Sequence, residues 1–543
     1  MKIKYSVLAL VCGLFITGCT QNFEETNTNP NKITVKSGKL SASAMFEKNL
    51  YDGTNYLTYI SWFWNNELVQ HTASTGNTVR NEHRYNIGDA NWASLWNHIA
   101  GYASNIHEMN RLAKLQKDIA MQAVSKTMYV LFMQNLTDMF GDIPYREAFM
   151  ADQGNLAPVF DSQEEVYKQM CATLEQANKF YTSNPYVNSN YAALDNMYGF
   201  NIKKWQRFNN SLYIRVLGRL MGRSSTVVDS ISNMTVREKL QQIVDNPVQY
   251  PVFTSNDDNA TVRFTAVAPY YSEFDPANYT EPDFTNSSYH LTEQMIKMMV
   301  IKGRNADGSI NIKADIYVDP RLHIIGKQRD SAPYWKGTVA GGLAENQGND
   351  DRASSYLNAE VLRRNNSDEF FMGFDELEFI LAEAALKGII NGGDVAARTY
   401  YEAAVTANMQ KWGKFAQAAV PNNTPVDYII TDQIIADYLQ SPLASWDLNT
   451  NHEELILNQK YIATFWVGME GWADYRRTGY PELTVGQGTD PNDFVLPTRM
   501  GYPNITTATN AAHVAEALKR MKANANDMKT PVWWSKKAIE GAH

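Results

Sequence analysis

The sequence predicts an all-α protein with long irregular loops and only a few short strands. Apolar residues recur at three- and four-residue steps over most of the chain from about Leu40 onward. Strand-like alternation is confined to short pieces such as Thr261-Val-Arg-Phe-Thr265. Between the helical zones lie irregular segments, chiefly 183–200, 249–292, 303–360 and 413–450. With 543 residues, 44% hydrophobic and 20% charged, the chain can build a substantial core as one helical array or several domains.

The first element is an address. Lys2 and Lys4 precede a mainly apolar run over residues 5–16, too short to span a bilayer, and Ile16-Thr17-Gly18-Cys19 closes it. That is the anatomy of a secretory signal peptide, and its ending resembles a bacterial lipobox. The expected organisation is a signal peptide over 1–18, a lipid-anchored tether over 19–39 beginning at acylated Cys19, and one body over 40–543. Stable anchoring needs more than one acyl chain, which the three of a bacterial lipoprotein (palmitate-type chains) supply. Glu24 and Glu25 resemble the signal that sends Bacteroidota lipoproteins to the outer face of the outer membrane.

Losing Lys2 and Lys4 with the signal takes the formal charge from −9 to −11, which argues against nucleic acid or anionic lipid as the main ligand. Cys12 leaves with the signal and Cys19 carries lipid, so Cys171 remains alone and no intramolecular disulfide can form.

Further along, Ser162-x-x-Glu165 reads as a capping box, followed by Tyr167, Met170, Cys171, Leu174, Ala177 and Tyr181 at helical steps. Trp205, Phe208, Leu212, Val216 and Leu220 mark another helix, with Arg215 and Arg219 on an adjacent stripe. More helices are expected near 90–115, 117–137, 232–245, 371–388, 394–412 and 453–467, with a turn at Asn305-Ala-Asp-Gly308. Ala384, Ala396, Tyr400 and Ala403 follow part of a tetratricopeptide pattern.

No reaction centre declares itself. The nine histidines form neither HxxxH nor HxH spacing, and GxSxG, Walker and Rossmann glycine patterns are missing. Reading Gly308 as the sixth residue of a calcium loop puts Gly303 first and Ala314 twelfth, which excludes an EF-hand. No catalytic residue, metal ligand or cofactor is therefore predicted, and no motif provides for a structural calcium ion. Glu470 and Asp474 beside Trp472 would be the acid pair of a surface glycosidase, the alternative from a different class. Pairing with Arg476 and Arg477 is the preferred reading, because ion pairs at helix ends outnumber catalytic dyads.

Ordered blocks spread over nearly the whole mature chain carry a resemblance. They are Phe23-Glu-Glu-Thr-Asn-Thr-Asn-Pro30, Asp138-Met-Phe-Gly-Asp-Ile-Pro-Tyr145, Phe160-Asp-Ser-Gln163 and Trp205-Gln-Arg-Phe-Asn-Asn-Ser211. Asp319-Pro-Arg-Leu322, Leu381-Ala-Glu-Ala384-Ala-Leu-Lys-Gly388, Trp472-Ala-Asp-Tyr-Arg-Arg-Thr-Gly-Tyr-Pro481 and Pro531-Val-Trp-Trp534 follow. Together they resemble the SusD/RagB family of nutrient-binding outer-membrane lipoproteins, and more closely its second SusD-like branch. The resemblance implies about four tetratricopeptide-like helix pairs as a scaffold with loops on the opposite face. It also implies a non-enzymatic role as the hinged lid of a SusC-like TonB-dependent outer-membrane barrel, importing oligosaccharide or, alternatively, oligopeptide.

A sugar site needs flat aromatic platforms with amide or carboxylate groups at the rim. Candidate ligand residues are Trp62 and Trp64 with Asn65, Asn66 and Gln70, and the loop bounded by His71 and Tyr85. Tyr270, Tyr271 and Tyr279 with Asn278 and Asp283, and Tyr334 with Trp335, complete the set. Helix core is the competing reading for Trp62 and Trp64, although their i,i+2 spacing sends the two rings to different faces. Gly141 and Pro144 are expected to end a helix, with Asp142 capping the turn.

Overall fold

The structure is a computed structural model and describes residues 41–74, 82–285, 289–343 and 353–541. The signal peptide, Cys19, Glu24, Glu25 and the tether lie outside the described residues, as does 75–81 of the loop bounded by His71 and Tyr85. No described helix is long and apolar enough to cross a membrane.

The class is mainly α-helical, as predicted. Helix α1 (Ala42–Ile60) starts at the Ser41 side chain, which accepts from the Ala44 N–H. It packs on the pair α2 (Asp89–Leu115) and α3 (Ile119–Phe140). The α1–α3 approach is close: a Cβ on Gly53 would stand 2.6 Å from the Phe132 ring. Leu95, Ile99, Ala103, Ile106 and Met109 form the buried stripe of α2, while α3 is enclosed on nearly every side. Gly141, at φ 85°, ends α3 in a conformation that disfavours side-chain-bearing residues. Asp142 does not cap that turn. Its carboxylate accepts instead from the Gln163 N–H (2.8 Å) at the start of α4 (Gln163–Thr182).

Helix α4 buries the stripe read from the sequence, Tyr167 through Tyr181, and packs on α5 (Ile202–Arg219). Only half of the expected capping box forms, with Ser162 Oγ accepting from the Glu165 N–H (3.3 Å). The next helix, α6 (Val236–Asp245), carries a complete box between Thr235 and Glu238. Then come α7 (Phe374–Leu386) paired with α8 (Gly393–Ala419), α9 (His452–Ala463), which packs on α7, and α10 (Glu470–Thr478). The partial repeat is displaced by one residue. The buried face of α8 is Ala397, Tyr401, Ala404, Val405 and Asn408, while Ala396, Tyr400 and Ala403 sit at its margin.

Strands are short, as expected, but one hairpin escaped the sequence reading. Strands β1 (Thr72–Ser74), β3 (Tyr289–Leu291), β7 (Tyr356–Leu357) and β6 (Gly326–Lys327) form an antiparallel sheet in that order. Strand β2 (Ala260–Arg263), within the predicted alternation, pairs with β8 (Asp368–Met372). The hairpin β4 (Val300–Arg304) and β5 (Ile310–Val318) closes through the predicted turn, where Gly308 N–H donates to the Asn305 carbonyl (2.9 Å). Ile310, Ile312 and Ile316 alternate with Asn311, Lys313 and Asp315, a strand pattern inside the segment 303–360 expected to be irregular, and the three isoleucines are exposed.

The scaffold is cross-linked by a buried charge network. Arg219 on α5 donates to Asp138 on α3 (3.1 Å) and Glu470 on α10 (2.5 Å). Arg215, one turn earlier, holds Glu376 on α7 through two 2.6 Å bonds. Arg477 on α10 grips Glu383 on α7 (2.6 and 2.5 Å) and Asp474, which also accepts from Lys460 on α9 (2.9 Å). All these side chains are buried. Burial alone would raise the Glu383 carboxyl, but the Arg477 guanidinium outweighs it and holds it at about 2. A second knot joins Arg321 to Asp319, Asn408 on α8, Tyr438 and Gln459 on α9. This explains why the Asp319-Pro-Arg-Leu322 block is structural. Arg219→Met would strand Asp138 and Glu470 and should cost about 3–5 kcal/mol of unfolding free energy in denaturant titration, with no change expected for an exposed control such as Lys203→Met.

Candidate functional site

The tempting acid pair is not a cleft. Glu470 faces Arg219 and Arg215 rather than Arg476, and Asp474 is held by Arg477 and Lys460. Arg476 pairs with no carboxylate. It lies 3.6 Å over the Trp472 ring and 4.9 Å from Trp534, donating to the Asp138 and Thr498 carbonyls. Among the described residues, no group of three or more histidine, cysteine or acidic side chains is arranged to hold a metal ion.

The sequence candidates divide by burial. Trp62 and Trp64 both lie inside, although their spacing left room for one of them to face outward. They sit on a π-helical turn, Ser61–Asn65, that directs the rings inward. Trp62 stacks on Phe63 (4.7 Å) and Phe284 (4.6 Å), meets Phe274 edge-on (4.6 Å), and neighbours Tyr279 and Tyr289. It is the hub that ties the 270–289 segment to α1. His71 is fully buried between Asn66 Oδ1 (3.1 Å) and the Tyr461 carbonyl (2.9 Å), and burial pushes its pKa down to about 3. Tyr85 is buried and its hydroxyl meets Gln70. Trp335 is buried with its ring against His323, and its backbone N–H donates to Asp315 (3.0 Å). In this conformation Trp62, Trp64, His71, Tyr85 and Trp335 therefore offer no ring face to a ligand.

Four aromatic candidates remain at the surface, one of them Tyr334, half-buried with the Lys302 ammonium 5.8 Å from its ring. Tyr271 is 38% exposed, and Tyr270 and Tyr279 are half-buried. Tyr270 stacks against Tyr51 (4.4 Å) and donates to Glu47 (2.5 Å). The Tyr271 carbonyl accepts from Asn55 Nδ2 (3.1 Å), and the Tyr279 hydroxyl donates to Glu273 (2.7 Å). These contacts bring in residues the sequence reading missed: Asp52, Asn55 and Tyr59 on one stripe of α1, Tyr102 on α2, and Glu273. Burial, then the Asp52 and Glu273 carboxylates, pushes the Tyr102 hydroxyl up to about 12. The available signal was the stripe Lys48, Asp52, Asn55 and Tyr59 at four- and three-residue steps along α1.

Polar groups beneath this aromatic surface are incompletely satisfied. Among the described residues, Asn55 Oδ1 and Glu369 Oε2 find no hydrogen-bond partner though buried. Glu369 Oε1 accepts from the Glu273 N–H (2.7 Å), and burial raises its carboxyl well above the ordinary range. Burial also lifts Glu273 to about 7, against the Tyr279 hydrogen bond. Aromatic faces with adjacent acceptors can stack on sugar C–H faces and receive hydroxyl protons.

Comparison with known proteins agrees with the helical scaffold. The model of the second SusD-like family, described as starch-binding and associating with the outer membrane, matches residues 30–503. A SusD homologue from Bacteroides fragilis NCTC 9343 superposes with TM-score 0.70 at 20% identity, covering 91% of this chain and 99% of its own. One from Parabacteroides distasonis ATCC 8503 gives 0.72 at 21%, over 91% and 98%. A chitin-binding SusD homologue from Flavobacterium johnsoniae gives 0.69 at 21%, over 91% and 98%. At such identities the likeness carries the fold. Comparison with functionally curated proteins returns no match.

The division between hub and surface is testable by stability alone. Trp62→Ala should cost about 3–5 kcal/mol in chemical unfolding, whereas Tyr271→Ala should stay within about 0.5 kcal/mol.

Proposed function

Because the chain belongs to the second SusD-like family, a nutrient-binding family associated with the outer membrane, we propose that it captures oligosaccharide at the cell surface without catalysing a reaction. It delivers that cargo to a SusC-like TonB-dependent barrel, over which it closes as a lid, tethered through acylated Cys19. The observation that carries the reading is the Tyr271–Tyr279 surface on α1, with Asn55, Glu273 and the unsatisfied Asn55 Oδ1 beneath it. The chitin-binding relative supports glycan as the ligand class. The burial of Glu470 and Asp474 in ion pairs removes the only carboxylate pair put forward for hydrolysis.

The role separates into address and site. Cys19→Ala should abolish surface retention and uptake, read by cell fractionation, while leaving oligosaccharide affinity unchanged in calorimetry. Tyr271→Ala or Tyr279→Ala should weaken binding by about tenfold with the fold intact. Affinity for a neutral oligosaccharide should rise between pH 6 and 8. Glu273 gives up its proton near pH 7, and the carboxylate accepts hydroxyl protons better than the acid does. Glu273→Gln should make binding flat over that interval. A glycan and peptide screen that returns only peptides would overturn the choice of cargo.

A further inference from the structure

A second cleft, of about 400 Å³, lies on the other side of the β2–β8 strand pair, bounded by the C-terminal half of α8. Residues alternate along β8, so Glu369 faces the tyrosine site while Asp368 and Phe370 line this cleft. The volume falls within the roughly 300–1,000 Å³ usual for small-molecule sites.

Its central feature is a guanidinium without an acid. Arg364 is 9% exposed, yet among the described residues no carboxylate forms an ion pair with it. Its Nε donates to the Val361 carbonyl (3.0 Å), and the guanidinium stacks 4.6 Å from the Phe415 ring. Among the described residues, the terminal nitrogens have no hydrogen-bond partner. Burial lowers its pKa to about 10, the mark of a cation whose lost hydration is not replaced. Arg215, Arg219, Arg321 and Arg477, also buried, each hold carboxylates, and buried Arg476 and Arg499, which do not, donate from terminal nitrogens to carbonyl or amide oxygens instead.

The surroundings make an anion the missing partner. Arg263 and Lys414 line the same cleft, exposed and without ion-pair partners, while the charge of Lys411 is already taken by Asp375. Asp368 lies within electrostatic reach of Arg263 and Arg364, but burial raises its carboxyl in spite of them, and it forms an ion pair with neither. Half-buried Phe370 offers an apolar face, and exposed Asn366 an amide. A guanidinium takes a carboxylate or sulfate through paired N–H bonds, with the aromatic ring against the sugar body.

We propose that this cleft is a second saccharide subsite, selective for a sugar carrying an oxyanion, either a uronate carboxylate or a sulfate ester, with Arg364 as its ion-pair partner. The proposal rests on the glycan-capture reading and extends it to charged glycans.

The test is calorimetry on the full chain at low salt with three oligosaccharides of matched length: a galacturonide, a sulfated galactoside and a neutral galactoside. One of the anionic ligands should bind at least about tenfold more tightly than the neutral one, identifying which oxyanion is used. Arg364→Gln should reduce it to the neutral level, with thermal unfolding recorded alongside. Lys414→Gln, on an exposed position and so without consequence for folding, should weaken the anionic ligand by about twofold to fivefold. The proposal is overturned if neither anion is preferred, if both variants keep the preference, or if Tyr271→Ala alone abolishes it. Neutral binding without charge preference ends this proposal and leaves glycan capture standing. Failure of all three ligands to bind ends both.

Discussion

The fold depends on charges removed from water and answered in place. Arg215 and Arg219 project from one face of α5 into the junction of α3, α7 and α10, where each cation meets carboxylates from other helices. A buried guanidinium–carboxylate pair contributes little net stability against a hydrophobic substitute, but losing one partner strands the other at a cost of several kcal/mol. The network therefore acts as a register device: α3, α5, α7, α9 and α10 assemble in an arrangement that brings Arg215, Arg219, Arg477 and Lys460 each against a carboxylate. It also decides the chemistry of α10. Glu470 and Asp474 are locked as ionised partners of arginine and lysine, so neither is available to take up or give a proton.

With the scaffold fixed, the long irregular segments are free to specialise. Trp62 is the pivot of that division. Its indole gathers Phe63, Phe274, Phe284 and Tyr289 into an aromatic cluster that seats the 270–289 segment on α1. What remains outside is a narrow tract of tyrosines with amide and carboxylate neighbours. The same strand pair that backs this tract turns a second, cationic face the other way. One β8 alternation thus serves two surfaces of opposite character, Glu369 on one and Asp368 with Phe370 on the other.

Helix positions were legible because their signal is periodic burial, and the stripes of α4 and α5 reproduce the sequence spacing. The family blocks were legible for a related reason: most of their polar residues, such as Arg321, Asp474 and Arg477, sit in buried networks that constrain sequence. The site was less so. Trp62, Trp64 and Trp335 attract attention as sugar platforms, but composition alone cannot tell a ring that faces solvent from one that nucleates a loop. A π-helical turn, which the sequence does not announce, buries both tryptophans, as the helix-core reading held, where the i,i+2 spacing left room for one to face outward. Asn55, Tyr59 and Tyr102 become part of one surface only when α1, α2 and the 270–279 segment are brought together. The one-residue error in the α8 repeat has the same origin, since small residues at adjacent positions satisfy the pattern in either register.

The account's central claim is that ligand is held by the loop tyrosines while the charged junction only holds the scaffold. Hydrogen–deuterium exchange with and without a bound oligosaccharide tests it most directly. The account predicts slowed exchange over residues 270–279 and the 52–59 stretch of α1, with residues 470–477 unchanged. Protection centred on 470–477, with none in the tyrosine segment, would contradict it.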